Sequence, residues 1–147
     1  MLDGAALRQD TLRPPLATAL GVLSAGDAVT FLIFASLHLG LQIPLGFATL
    51  AEPYIWAAAR VEALCCLALG TAAATVFTGW RHAWLTAAVA HVVSICGVLL
   101  GMAALAAGRG PRTELNSTYH LTILLVMLAG LVLLATPAGR AALRRSH

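Results

Sequence analysis

The chain has 147 residues, of which 60% are hydrophobic and 10% charged, with a formal net charge of +3. Soluble domains are about 45–50% apolar and about 25% charged. That difference excludes a soluble globular enzyme, a disordered tail and a nucleic-acid binder, and the length allows one domain. Alanine occurs 30 times, and all nine Lys-or-Arg positions are Arg. This usage suits a GC-rich bacterial genome. The charge needs no anionic partner, because the arginines cluster at the ends of apolar segments, as membrane topology requires.

Residues 1–15 read as a short N-terminal segment rather than a secretory signal, because the apolar run behind them is too long for a signal h-region. Four stretches then have the roughly 20 apolar residues that a membrane-crossing helix needs. They run from Leu16 to Leu41, Tyr54 to Thr78, His82 to Ala107 and Leu115 to Thr136. Lipid offers the backbone no hydrogen bonds, so such segments satisfy their own as helices. The expected fold is all-α, an antiparallel bundle of four transmembrane helices over residues 16–136. Residues 137–147 form a basic tail.

On the first segment, Asp27, Thr30, His38 and Gln42 fall within roughly 60° of one another at 3.6 residues per turn. They make one polar stripe on an apolar helix. His38 lies roughly 16 Å from Asp27 along the axis. Ionisable side chains at membrane depth are functional-site candidates, and their alternative role is to bond neighbouring helices. The segment from Gln42 to Glu52, half apolar, suits the outer membrane interface.

On the second segment, Arg60 and Glu62 point to nearly opposite sides and need different partners. Arg60 is expected to snorkel outward or to stack on Trp56. Glu62 is expected to point into the bundle toward His38 or His120, paired there or acting on a ligand. Cys65, Cys66 and Cys96 lie in apolar runs and suit packing better than metal binding.

Trp80-Arg81-His82 makes a tight turn into the third segment. There His91 and Ser94 share a face, and Gly97 and Gly101 form a GxxxG spacing that permits close helix approach. That spacing fits internal packing, with a homodimer seam as the alternative. Gly108-Arg109-Gly110-Pro111 ends the segment. The fourth opens on Asn116-Ser117-Thr118-Tyr119-His120, with Asn116 as candidate N-cap and His120 level with His38.

Arginines set the orientation. The side holding both termini and the second loop carries six (Arg8, Arg13, Arg81, Arg140, Arg144 and Arg145), and the other carries Arg109 and Arg112. The positive-inside rule places both termini in the cytoplasm of a bacterial plasma membrane. Tyr54, Trp56 and Tyr119 then belong to the outer aromatic belt, and Trp80 and Trp84 to the inner.

No hydrolase, zinc-protease or phosphate-loop motif occurs. The expected activity is that of a non-catalytic membrane subunit or a small-ligand-binding protein. Its polar pocket in the outer half would be lined by Asp27, His38, Glu62 and His120. One alternative is a redox protein holding quinone or haem b between His38 and His120. Another is a proton-coupled carrier working as an oligomer. Expected partners are the lipid bilayer and other membrane subunits or a second copy, and no nucleic acid.

The run Gly97-Val98-Leu99-Leu100-Gly101, then Gly110-Pro111-Arg112-Thr113, Asn116 and Tyr119-His120, resembles a pattern of small four-helix membrane proteins from GC-rich bacteria. Glu62 followed by an Ala/Leu/Gly run to Gly70 is similar to DoxX-like proteins. That resemblance implies a four-helix membrane fold, in some members beside redox complexes. It assigns no catalytic residue.

Overall fold

The computed structural model describes residues 15–144. Residues 1–14 and 145–147, with Arg8, Arg13 and Arg145 of the orientation count, lie outside the described residues. The chain is an all-α bundle of four long helices: α1 (Pro15–His38), α2 (Trp56–Thr78), α3 (Ala83–Ala106) and α4 (Glu114–Ala135). Each is long and apolar enough to cross a bilayer. Between α1 and α2 lies a small antiparallel hairpin of β1 (Ile43–Pro44) and β2 (Thr49–Leu50), in which Ile43 pairs with Leu50. A short fifth helix, α5 (Pro137–Leu143), follows α4.

Consecutive helices run antiparallel, and each packs on the next. The circle closes where Phe31 and Phe34 of α1 meet Tyr119 of α4. Phe34 stacks on that ring at 3.5 Å between centroids, and Phe31 meets it edge-on at 6.2 Å. Large apolar side chains cover the outside, among them Leu64, Leu67, Leu100, Leu125 and Val132. An aqueous surface rarely carries so continuous an apolar cover. Lipid tails supply the environment it needs, and the four spans read as a multi-pass membrane protein.

The helix ends follow local chemistry. α1 stops at His38, short of the expected Leu41, because Gly40 takes a φ of 95°. Leu41 N–H then bonds Ser36 O at 3.0 Å, closing a Schellman turn. Gln42 therefore stands beyond the helix and is exposed, so it does not belong to the stripe of Asp27 and His38. α4 starts at Glu114 because Thr113, not Asn116, is its N-cap, with Thr113 Oγ1 accepting from Asn116 N–H at 3.0 Å. Asn116 is instead buried in the first turn.

Thr136 ends α4 and caps α5, accepting from Gly139 N–H at 3.0 Å. Pro137 at the first position suits that start. Residues 137–143 of the basic tail are thus helical, and Leu143 is buried. Arg140 and Arg144 lie over the Trp84 ring, at 5.6 and 5.2 Å from its centroid. Trp84 Nε1–H donates to Leu134 O at 2.9 Å. Arg60 is exposed, and the cation–π contacts among the described residues fall on Trp84 rather than Trp56.

Candidate functional site

A cavity of about 360 Å³ opens at the hairpin end of the bundle, between α2, α3 and α4, with Phe31 of α1 in its wall. Most of its lining is apolar, from Ala58, Val61, Val98, Leu100 and their neighbours. Four polar side chains break that surface: Glu62, Asn116, Tyr119 and His120, with Arg109 at the exposed rim. Glu62, Asn116, Tyr119 and His120 are buried.

Each polar group is positioned by its helix. Asn116, Tyr119 and His120 are three and four residues apart on the first two turns of α4, so all three face inward. His120 Nδ1–H donates to Asn116 O, one turn back, at 2.8 Å. A carbonyl can only accept, so the neutral ring keeps its lone pair on Nε2. That edge lies over Gly101 of α3, where an added methyl would stand 2.7 Å from Nε2. Gly97, one turn before, faces α2 instead, and a methyl there would meet Cys65 Sγ at 2.9 Å. The two glycines of the GxxxG spacing therefore admit two different neighbours inside the bundle.

Glu62 sits on α2 between the cavity and His38. His38 Nε2 stands 3.6 Å from Glu62 Oε1. His38 is 0% exposed. Its Nδ1–H donates to Pro53 O at 3.2 Å, and its own carbonyl accepts from Ile55 N–H at 3.0 Å. His38 thus ties the chain that follows the hairpin to the end of α1. Neither Glu62 oxygen has a hydrogen-bond partner, and the same is true of Asn116 Oδ1 and Tyr119 OH. Buried polar atoms are nearly always paired, so four such oxygens around one cavity are unusual.

The four expected site residues are not all brought together. Glu62 and His120 line the cavity, and His38 backs Glu62. Asp27 is buried on α1, one turn before Phe31 on the same face, and is not in the cavity wall. Its Oδ2 has no hydrogen-bond partner. Thr30 turns to its own helix, donating to Gly26 O at 2.9 Å. Tyr119, expected in the outer aromatic belt, is buried as a wall of the cavity, whereas Tyr54 and Trp56 are exposed. The signal for Tyr119 was its place between Asn116 and His120 at helical spacing.

Other groups lie elsewhere. Glu52 is buried and accepts from Thr113 Oγ1–H through both oxygens, at 2.7 and 2.8 Å, tying the loop after the hairpin to the start of α4. His91 of α3 is buried toward the opposite end. Its Nδ1–H donates to Ala87 O at 2.8 Å and its Nε2 edge faces Gly130 of α4. Cys65 is buried, Cys66 half-buried and Cys96 exposed, so the three thiols do not share a site. Among the described residues no group of three His, Cys, Asp or Glu could hold a metal ion.

Haem does not fit the histidines. A bis-histidine site needs both Nε2 atoms free on facing walls of one slot. His38 lies outside the cavity wall, with Nδ1 on Pro53 O and Nε2 turned toward Glu62 Oε1 at 3.6 Å rather than into the space that His120 lines. No protein-family model matches this chain, and no curated protein or solved structure matches it.

Proposed function

We propose that the chain is a multi-pass protein of a bacterial plasma membrane that holds a small amphipathic molecule in its hairpin-end cavity. It carries out no chemistry of its own and works alone or beside other membrane subunits. Both termini lie in the cytoplasm, which puts the cavity in the outer half of the membrane. The arginine distribution supports this orientation, with Arg81, Arg140 and Arg144 at the opposite end from the cavity.

The observation that carries the reading is the cavity itself. Its walls are apolar and three of its polar residues, Glu62, Asn116 and Tyr119, present oxygens without partners. Ligand sites commonly combine an apolar enclosure with a few converging polar groups. An apolar body would fill the space between Val61, Val98 and Leu100, and a polar head would meet Glu62, Asn116 and Tyr119. A quinone draws less support, because its carbonyl oxygens only accept and would leave the Glu62 and Asn116 oxygens unmatched. A proton-coupled carrier is the stronger second reading, because His38 stands behind the Glu62 carboxyl.

The test is thermal unfolding of the purified protein with 1-octanol, octylamine or octanoate. A ligand at 100 times its Kd stabilises by about 2.7 kcal/mol. At least one amphiphile is expected to raise Tm, and Ala58→Phe, which fills the cavity, is expected to remove the rise. Equal responses of the two proteins would contradict the reading.

A further inference from the structure

We infer that the cavity selects an amine-headed amphiphile, whose N–H groups take the place of a proton held between His38 and Glu62. This rests on the cavity being a ligand site, and it names the ligand's chemistry.

Pro53 O accepts from His38 Nδ1, so that nitrogen carries hydrogen. In the neutral ring Nε2 is then a bare lone pair. It faces Glu62 Oε1 at 3.6 Å, and both groups are buried. A neutral imidazole beside an ionised carboxylate would set lone pair against lone pair and leave an unpaired charge in a dry site. One proton on the Glu62 carboxyl, facing the Nε2 lone pair, removes both penalties and leaves the pair neutral.

Toward the cavity, acceptors outnumber donors around Glu62. Both Glu62 oxygens and Asn116 Oδ1 lack partners, as does Tyr119 OH, which can donate as well as accept. His120 Nε2 is a lone pair too, because Nδ1–H is spent on Asn116 O. An end so rich in acceptors suits a donor with several N–H groups, and an ammonium has three. The rings of Phe31 and Tyr119 are in the same wall, and aromatic faces favour cations. Arg109, the one permanent cation of the lining, is exposed and can turn to water.

Charge balances simply. The protonated pair is neutral and the alkylammonium carries one positive charge. Binding puts the ammonium against the Glu62 carboxylate and releases one proton to solvent. The other titratable groups around the same cavity are Tyr119 and His120 of α4 and Arg109, just past the end of α3, with Cys65 one turn along α2 from Glu62. Glu52 belongs to the loop above, held by Thr113.

The experiment is carbodiimide labelling in nanodiscs. Dicyclohexylcarbodiimide adds to a protonated carboxyl in an apolar site, taking its proton and forming an O-acylisourea that rearranges to a stable N-acylurea. Peptide mass spectrometry is expected to find the adduct on Glu62 and to find it lost in Glu62→Gln. Octylamine is expected to suppress labelling, and 1-octanol at the same concentration to leave it unchanged. Calorimetry in two buffers of different ionisation heat is expected to show one proton released per octylamine bound. Asn116→Leu, which leaves the carboxyl in place, should keep labelling and lose octylamine protection. Equal protection by octanol and octylamine, or binding with no proton release, would overturn the amine assignment while leaving the ligand site intact. Labelled Glu62 that neither amphiphile protects would remove both. Absence of any Glu62 adduct in wild-type protein would overturn the proton site.

Discussion

His91 of α3 rests on Gly130 of α4 as His120 of α4 rests on Gly101 of α3. Each glycine lies ten residues after the histidine of its own helix, so the antiparallel register brings both pairs into contact. Both rings turn Nδ1–H back to a carbonyl four residues earlier, at 2.8 Å. This leaves the Nε2 edge turned toward the glycine of the opposite helix. The α3–α4 seam is therefore pinned at two depths by a ring on a bare Cα.

That exchange predicts strong coupling. A methyl at Gly130 would stand 2.6 Å from His91 Nε2 and 3.1 Å from Leu23 Cδ2. Overpacking of this kind costs about 1–3 kcal/mol. Gly130→Ala is expected to lower thermal stability by that order. His91→Ala in the same protein should recover part of the loss, and a double-mutant cycle measures the coupling. Additive losses would separate the two residues.

His38 and Glu62 should respond unequally to substitution. His38 anchors Pro53 and fills a wholly buried site, so His38→Ala is expected to cost about 2–4 kcal/mol through lost packing and an unmade hydrogen bond. Glu62→Gln keeps the volume and removes a buried ionisable group, and is expected to cost less than about 1 kcal/mol. Chemical denaturation in mixed micelles compares them.

Thr113 performs two tasks at one turn. It caps α4 and donates to Glu52. Thr113→Val is expected to lose about 1–2 kcal/mol. Thr113→Ser keeps the hydroxyl and should lose well under half of that. Hydrogen exchange should localise the change to the first turn of α4 and to residues 50–55.

At the opposite end, Trp84 is held from two sides. Arg140→Ala and Arg144→Ala are each expected to cost about 0.5–1 kcal/mol, the range of exposed cation–π contacts. Trp84→Phe keeps a ring for the arginines but leaves Leu134 O without its donor. Tryptophan fluorescence of Trp84 should shift when both arginines are removed.

Much of the fold could be read from the sequence because lipid imposes one rule on every span. Apolar runs gave the four helices to within a few residues, and Gly108 marked the end of the third. Gly40 was harder to read, because apolar Leu39 and Leu41 continue the hydrophobic run past the helix stop. The burial of Asp27, His38, Glu62 and His120 followed from the cost of facing hydrocarbon. Their separation did not, because periodicity fixes a face on one helix and not its neighbour. Asp27 and His38 share a stripe, yet eleven residues of rise leave Asp27 outside the cavity that Glu62 lines. Gly130 gave no signal either, because a lone glycine in an apolar run reveals its role only when His91 is placed opposite. Thr113 and Asn116 are both good caps three residues apart, and Glu52 above Thr113 coincides with the choice of the earlier one.

The central claim is that the space beside Glu62 holds a small molecule within the membrane. Native mass spectrometry of the protein released from lipid nanodiscs equilibrated with octylamine tests it most directly. The account predicts a one-to-one complex for the wild-type chain that disappears in Ala58→Phe. Wild-type and Ala58→Phe spectra with the same complex, or with none, would contradict it.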